Sequence, residues 1–175
     1  DFLFSRSFQL KVASGDMAAL KILSDASAVI AEGEVLQLAV HGKLDIDRKT
    51  HFKVLEGKTA ALFAAACESG ALIAGATKEQ TEAARNFGLS LGMAFQITDD
   101  ILDYTREPDH DGKNPGDDFY EGKITLPVMI AYQAAEGEEK AFWEQSFNAH
   151  SRTEADFKRA LSAIHRHDAI EQTKA

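Results

Sequence analysis

Apolar side chains recur every three to four residues along most of this chain, and this spacing predicts helices almost throughout. No alternating strand pattern continues past about four residues, and no internal repeat is evident. All three prolines fall between residues 108 and 127. The sequence therefore predicts an all-α fold. The predicted helices cover residues 1–13, 17–41, 48–75 and 78–105, and two more open at 125–127 and 151–154.

Small polar residues mark the ends of these helices. Gly75 ends one helix, and Thr77 with Gln80 has the spacing of a capping box that opens the next. Pro127 falls in a first helical turn, where its missing N–H costs little. Residues 106–122 contain two prolines, three glycines and six acids, so they predict a polar loop. Loops longer than about 12–15 residues are usually functional or disordered. This one carries Gly-Lys twice, which favours a functional role.

The composition predicts one domain without a membrane span. A chain of 175 residues that is 45% hydrophobic can bury one sizeable core. Its apolar runs are far shorter than the roughly 18–20 residues that cross a bilayer. The single cysteine, Cys67, excludes a disulfide framework and is typical of a reducing compartment. We therefore expect a cytoplasmic protein with no transmembrane segment.

The charge of the chain narrows its partners. A net charge of −9 disfavours nucleic acid, which would require a basic surface. It also opposes an anionic substrate unless a metal ion and local lysines reverse the sign at the site. The histidines and the cysteine form no HExxH or CxxC pattern, so a zinc or iron site is not expected.

Three acids lie close together at the end of the helix predicted for 78–105. Helix geometry places Gln96, Asp99, Asp100 and Asp103 within an arc of about 100°. Like charges so arranged destabilise a helix by roughly 0.2–0.5 kcal/mol per pair. Mg²⁺ favours such oxygens and typically takes one or two carboxylates, with water and phosphate at its other positions. The sequence thus predicts a magnesium site, with downstream lysines to neutralise phosphate oxygens.

Lys58 is unusual because it falls in an apolar stripe of the helix predicted for 48–75. An inward lysine must either extend its ammonium group to water or bind an anion. The acidic cluster elsewhere in the chain favours anion binding. The residues predicted to share its face are Leu55, Leu62, Ala65 and Ala66.

The segment from Phe95 to Asp103 resembles the second aspartate-rich motif of the trans-prenyl diphosphate synthases. Further similar motifs occur in order over most of residues 1–135, and a tail motif resembles the long-chain (octaprenyl, decaprenyl, solanesyl) members. These motifs are Asp-Phe-Leu-Phe-Ser-Arg-Ser-Phe at 1–8, Glu-Gly-Glu at 32–34, Lys-Thr-Ala-Ala-Leu-Phe at 58–63, Gly-Lys-Asn-Pro-Gly-Asp-Asp-Phe-Tyr-Glu-Gly-Lys-Ile-Thr-Leu-Pro at 112–127, and Arg-His-Asp-Ala-Ile at 166–170.

The resemblance implies the isoprenoid synthase type I fold, a bundle of long antiparallel helices around a central cavity. It also implies condensation of isopentenyl diphosphate with an allylic prenyl diphosphate to give a linear all-trans product. The implied partners are those two substrates and a second copy of the chain, contacted through helices 1–41 and 48–75. The implied metal ligands, for Mg²⁺, are Asp99, Asp100 and Asp103. Implied substrate contacts are Lys58, Thr59, Phe95, Gln96, Lys113 and Lys123, and the implied catalytic residues are Lys58, Thr59, Gln96, Asp99, Asp100 and Asp103.

Within these substrate contacts, the three lysines are expected to bind the allylic diphosphate. Thr59 and Gln96 would stabilise the allylic cation, and Phe95 would flank the isopentenyl site.

Two departures from the family pattern modify this picture. A first aspartate-rich motif and an arginine pair are expected upstream of Asp1, so residues 1–175 are interpreted as one domain incomplete at both ends. Such a piece alone is expected to be inactive. Tyr120 occupies the position at which these synthases usually have arginine, so the expected site has one basic side chain fewer.

Two alternatives remain open at this level. A class I terpene cyclase would also be all-α, but its downstream Asn/Asp-x-x-Ser/Thr-x-x-x-Glu motif is not supplied here. A non-catalytic regulatory subunit would be expected to lose the aspartates or the lysines, and both sets are present. Product chain length and allylic primer stay undetermined.

Overall fold

The computed structural model describes residues 2–106 and 115–175, and within those ranges the secondary structure is helical, without strands. The predicted all-α fold is therefore confirmed. The helices are α1 (Phe2–Ala13), α2 (Met17–Val40), α3 (Arg48–Leu55), a π-helical turn (Glu56–Ala60), α4 (Ala61–Ile73), α5 (Lys78–Thr105), α6 (Asp117–Glu121), α7 (Leu126–Ala134), α8 (Gly137–Asn148), α9 (Glu154–Arg166) and α10 (Ala169–Lys174).

The chain divides into two compact units. The first comprises Asp1–Leu36 and Phe52–Ala94, and the second comprises Gln37–His51 and Phe95–Ala175. The arrangement around a central cavity and the single domain over 1–175 stay predictions. Among the described residues, no helix is long and apolar enough to cross a membrane.

The first unit corrects the prediction of one continuous helix over residues 48–75. The π-helical turn Glu56–Ala60 separates α3 from α4 and contains Lys58. A π turn adds a residue to the helical repeat, so the face calculated for Lys58 does not continue into α4. Accordingly, Leu62 is 52% exposed whereas Ala65 is buried. Apolar spacing alone does not reveal the turn, because alanines occupy several sides of this segment.

The core of the second unit forms around α7. This helix is apolar on all sides, which is typical of a buried helix, and it packs against α9 and α10. Trp143 and Phe119 are fully buried, and Phe119 makes an edge-on contact with Phe147 at 5.8 Å between ring centroids. The C-terminal helices therefore provide the rigid support on which α6 lies.

Several predicted helix starts are confirmed, and one shifts. Thr77 and Gln80 exchange the two bonds of a capping box, and α7 begins after Thr125. The helix predicted to open at residues 151–154 begins at Glu154, but its cap is Thr153, through a reciprocal pair with Asp156, and not Ser151. The predicted polar loop 106–122 contains a short helix, α6, whose ends are the left-handed residues Gly116 and Gly122.

Candidate active site

The three acids at the C-terminal end of α5 occupy two different environments. Asp100 is only 4% exposed, and its Oδ1 accepts a hydrogen bond of 2.9 Å from Gln96 Nε2. Asp99 and Asp103 are partly exposed, and both line a cleft of about 190 Å³. Residues four positions apart share a helical face, whereas Asp100 is rotated away from Asp99 by about 100°. The predicted acidic face is thus divided, with two acids lining the cleft and one buried.

The helix α6 supplies the other wall of this cleft. The backbone N–H of Asp118 donates to Asp103 Oδ2 at 3.2 Å, and the N–H of Gly116 donates to the Asp103 carbonyl at 2.9 Å. Asp103 therefore connects the end of α5 to the start of α6. The residues that line the cleft are Asp99, Leu102, Asp103, Arg106, Asp117, Asp118, Glu121 and Lys123.

Three acids of the cleft, Asp117, Asp118 and Glu121, were not predicted as site residues from the sequence. All three fall between the two Gly-Lys pairs of the loop that was predicted to be functional, and that position was the available signal. The backbone bond from Asp118 to Asp103 spans fifteen residues, so helical spacing could not predict it.

Lys123 lies in the cleft and is paired with acids of the same segment. Its Nζ is 2.7 Å from Asp118 Oδ1 and 2.7 Å from Glu121 Oε2. Burial would lower the pKa of Lys123, but the hydrogen bonds and charges of these two acids outweigh it and raise the pKa above its usual value. Lys123 therefore stays protonated and presents a fixed positive charge in the cleft.

Burial and the neighbouring negative charges raise the pKa of two carboxyl groups in this region. Burial raises the pKa of Asp100 to about 7 against the opposing Gln96 hydrogen bond, and the charges of Asp118, Asp99 and Asp103 add to the rise. Burial and the charge of Asp118 raise the pKa of Asp103 to about 6. Of the described residues that line the cleft, five are acidic and two are basic. Such a surface repels a diphosphate unless cations are added.

The raised pKa of Asp100 predicts a pH-dependent stability. The folded protein holds this proton more tightly than the unfolded chain, because the pKa of about 7 exceeds the ordinary 3.8. Ionising the buried carboxyl therefore costs stability progressively as the pH rises from about 4 to about 7, with an upper bound of about 4 kcal/mol. Asp100→Asn keeps the acceptor for Gln96 and removes the charge.

We expect Asp100→Asn to raise the melting temperature of the metal-free protein at about pH 8 and to change it little at about pH 4. Thermal unfolding in a chelator at both pH values measures the effect. Asp45→Asn, at an exposed aspartate, is the matched control. An equal shift for Asp100→Asn at both pH values would contradict the proposed cost of the buried charge.

The other predicted site residues are distributed over both units. Lys58 and Thr59 belong to the π-helical turn of the first unit, and both are partly buried. Phe95 and Gln96 lie on α5 in the second unit, where Phe95 is 55% exposed. Lys113 lies outside the described residues. The structure thus brings together Asp99, Asp103 and Lys123, and adds Asp118 to them.

The donor set of the cleft suits magnesium bound jointly with a ligand. Within residues 2–106 and 115–175, no three histidine, cysteine, aspartate or glutamate side chains are placed to hold a metal ion by themselves. Mg²⁺ does not need such a cage, since it usually takes one or two carboxylates and fills its other positions with water and substrate phosphate. The carboxylates of Asp99 and Asp103 match that requirement.

Comparison with known proteins assigns the chain to a family. A sequence model described as polyprenyl synthetase matches residues 1–164. The chain belongs to the polyprenyl synthetase family. The family resemblance inferred from its motifs is therefore confirmed.

Relatives within this family include long-chain synthases. The chain is 44% identical to octaprenyl diphosphate synthase of Escherichia coli K12 over 131 residues, which cover 75% of this chain and 41% of that protein. It is 46% identical over 140 residues to the geranyl-diphosphate-specific all-trans-nonaprenyl-diphosphate synthase of Rhodobacter capsulatus, covering 80% and 43% of the two chains.

A solved structure is also similar. The polyprenyl synthase from Caulobacter crescentus CB15, complexed with calcium and isoprenyl diphosphate, superposes with a TM-score of 0.93 at 47% identity. The superposition covers 99% of this chain and 53% of that one. The chain thus spans about half the length of these relatives.

Proposed function

We propose that the whole protein is a prenyltransferase that condenses isopentenyl diphosphate with an allylic prenyl diphosphate to make a linear all-trans polyprenyl diphosphate. The observation that carries this proposal is the cleft at the end of α5, which is lined by Asp99, Asp103 and Lys123. Membership of the polyprenyl synthetase family and the names of the relatives support it.

The proposed reaction begins with ionisation of the allylic substrate. Its C–O bond breaks, and the electron pair leaves with the diphosphate. The double bond of isopentenyl diphosphate then attacks the allylic cation, and loss of a proton restores a double bond. Asp99 and Asp103 would hold Mg²⁺, which, when bound, stabilises the charge of the departing diphosphate as a Lewis acid.

The basic residues would bind the diphosphate directly. Lys58, Lys113 and Lys123 are proposed to donate to its oxygens, since charge-assisted hydrogen bonds are the strongest available to it. Lys123 retains its proton. To bind the diphosphate, its ammonium group must release the carboxylate of Asp118 or Glu121 and donate to a phosphate oxygen. A cation bound in this acidic cleft would favour that exchange, because the cation competes with Lys123 for the same carboxylates.

Gln96 and Thr59 are proposed to stabilise the allylic cation with their oxygens. The Gln96 amide group donates to Asp100, which fixes the orientation of the amide. The sequence predicted Asp100 as a metal ligand. Because Asp100 is buried and bonded to Gln96, we propose instead that it positions the Gln96 side chain. Phe95, which is largely exposed, is proposed to flank the isopentenyl group.

Diphosphate release tests this proposal against the two alternatives. A chain-elongating synthase with Mg²⁺ should release diphosphate rapidly only when both substrates are present. A terpene cyclase would release it from the allylic substrate alone, and a regulatory subunit would release none without an active partner. Release from the allylic substrate alone at the full rate, or no release at all, would contradict elongation.

A second copy of the chain is the proposed protein partner. Phe2 and Leu3 of α1 are about 80% exposed, Leu10 is 58% exposed, and Val35 of α2 is 67% exposed. Large exposed apolar patches usually mark interaction surfaces. These residues belong to the helices predicted for a homodimer interface, which supports that prediction. A cytoplasmic location is proposed on the composition alone.

We expect the whole protein to sediment as a dimer at micromolar concentration, and Leu10→Glu to shift it towards monomer because the substitution places a charge in the apolar interface. Analytical ultracentrifugation measures both. A clean monomer for the unmodified protein would mean that its own remaining sequence covers α1 and α2, and it would remove the dimer proposal.

A further inference from the structure

Two glycines on neighbouring helices lie in close contact with the π-helical turn that carries Lys58 and Thr59. On one side, α2 approaches the turn at Gly33, where an added Cβ would lie 2.7 Å from the carbonyl carbon of Gly57 and 2.8 Å from the amide nitrogen of Lys58. At a second point, α5 approaches the turn at Gly92, where a Cβ would lie 2.6 Å from Ala60 Cα. The backbone around Lys58 is therefore in close contact with two helices.

These contacts leave no room for a larger residue. A Cβ closer than 3.0 Å to a backbone atom requires the backbone itself to move, and ordinary contact begins at 3.4 Å. Glycine inside a helix is less stable than alanine, so its presence at a helix contact indicates a need for close approach. Gly70 of α4 shows the contrast, because a Cβ there would meet nothing within 4 Å.

The π-helical turn that carries Lys58 has an uncommon geometry. π-helical turns are rare, and they occur frequently at functional sites. This one includes five residues, Glu56–Ala60, and it directs the side chains of Lys58 and Thr59 differently from a continuous α-helix. The amide nitrogen of Lys58 is itself one of the atoms nearest to Gly33, so a shift of this contact would move the lysine backbone directly.

We propose that Gly33 is a positioning residue that sets the placement of Lys58 for the allylic diphosphate, with Gly92 fixing the end of the turn through its contact with Ala60. This inference rests on the proposed function. It gives the Glu-Gly-Glu motif at residues 32–34 a physical role, since its glycine permits the contact with the π-helical turn. Gly33 acts through Lys58 and not by touching substrate.

Gly33→Ala in the whole protein tests the proposal, with Gly70→Ala as the matched control. Misplacing a binding group by about 1 Å can cost about 100-fold, so we expect the KM for the allylic diphosphate to rise about 10- to 100-fold in Gly33→Ala. The KM for isopentenyl diphosphate should stay within about twofold of its value in the unmodified protein. In Gly70→Ala, the KM values for both substrates should stay within the same limit.

A double-substitution cycle with Lys58→Gln separates positioning from a general structural role. If Gly33 acts through Lys58, then adding Gly33→Ala to the Lys58→Gln protein should change the KM for the allylic diphosphate by less than about twofold. Full additivity of the two substitutions would overturn the proposal. So would an unchanged KM for the allylic diphosphate in a folded Gly33→Ala protein.

Gly57→Ala provides the same test with a milder clash. Its added Cβ would lie 2.9 Å from Gly33 Cα, with its next neighbours at 3.4 and 3.5 Å. If Gly33→Ala fails to fold, Gly57→Ala must show the selective rise in KM. If neither variant folds, the contact serves folding and the proposal is overturned. An inactive unmodified protein would instead refute the proposed function.

Discussion

Replacing Asp99 with alanine is expected to cut turnover of the whole protein at least about 100-fold, because metal ions supply several kcal/mol of charge stabilisation to reactions of this kind. The fold should survive, since Asp99 is partly exposed and belongs to a group of acids that repel one another. Steady-state turnover with saturating Mg²⁺ and both substrates measures the loss. Circular dichroism and the melting temperature in chelator monitor the fold.

Asp45→Ala is the control for this experiment, because it removes an exposed aspartate outside the cleft. Its turnover should match that of the unmodified protein. If Asp99→Ala instead lowered the metal-free melting temperature by more than several degrees, the acidic cluster would be a structural feature. The assignment of Asp99 as a metal ligand would then be wrong.

The second large effect is expected at Lys58. Lys58→Gln should weaken binding of the allylic diphosphate by about 10- to 150-fold, because a hydrogen bond to a charged group contributes roughly 1.5–3 kcal/mol. The aliphatic part of the glutamine retains much of the packing of the partly buried lysine. Calorimetric titration with a non-reactive allylic diphosphate analogue in Mg²⁺ measures the affinity.

Lys53→Gln serves as the matched control, since Lys53 is exposed and lies on α3 just before the π-helical turn. Both substitutions remove one positive charge, so a difference between them isolates the position of Lys58 from the net charge. Equal affinities for the two variants would indicate that Lys58 extends to solvent and does not bind the diphosphate.

Local sequence signals predicted most of the fold. The capping box at Thr77 and Gln80 and the long apolar repeat that follows it predicted α5, which spans Lys78–Thr105. The start of α7 was predicted by Pro127 in the same way. These signals act within a few residues of each other, and helical structure depends on just such local interactions.

The features that were not predicted depend on contacts between distant residues. Gly33 and Gly57 are 24 positions apart, so the spacing within residues 48–75 could not predict that α2 contacts this segment at the π-helical turn. Spacing on α5 predicted an acidic group, but the burial of Asp100 follows from the packing around it. The pairing of Asp103 with the backbone of Asp118 likewise depends on the docking of α6.

Mass spectrometry of the reaction products tests the central claim most directly. The whole protein is supplied with Mg²⁺, an allylic diphosphate primer and isotope-labelled isopentenyl diphosphate. The products should form a linear series in which successive members differ by one labelled five-carbon unit and each retains its diphosphate. A cyclic hydrocarbon without label, or an unchanged primer, would contradict the proposal that this protein elongates prenyl chains.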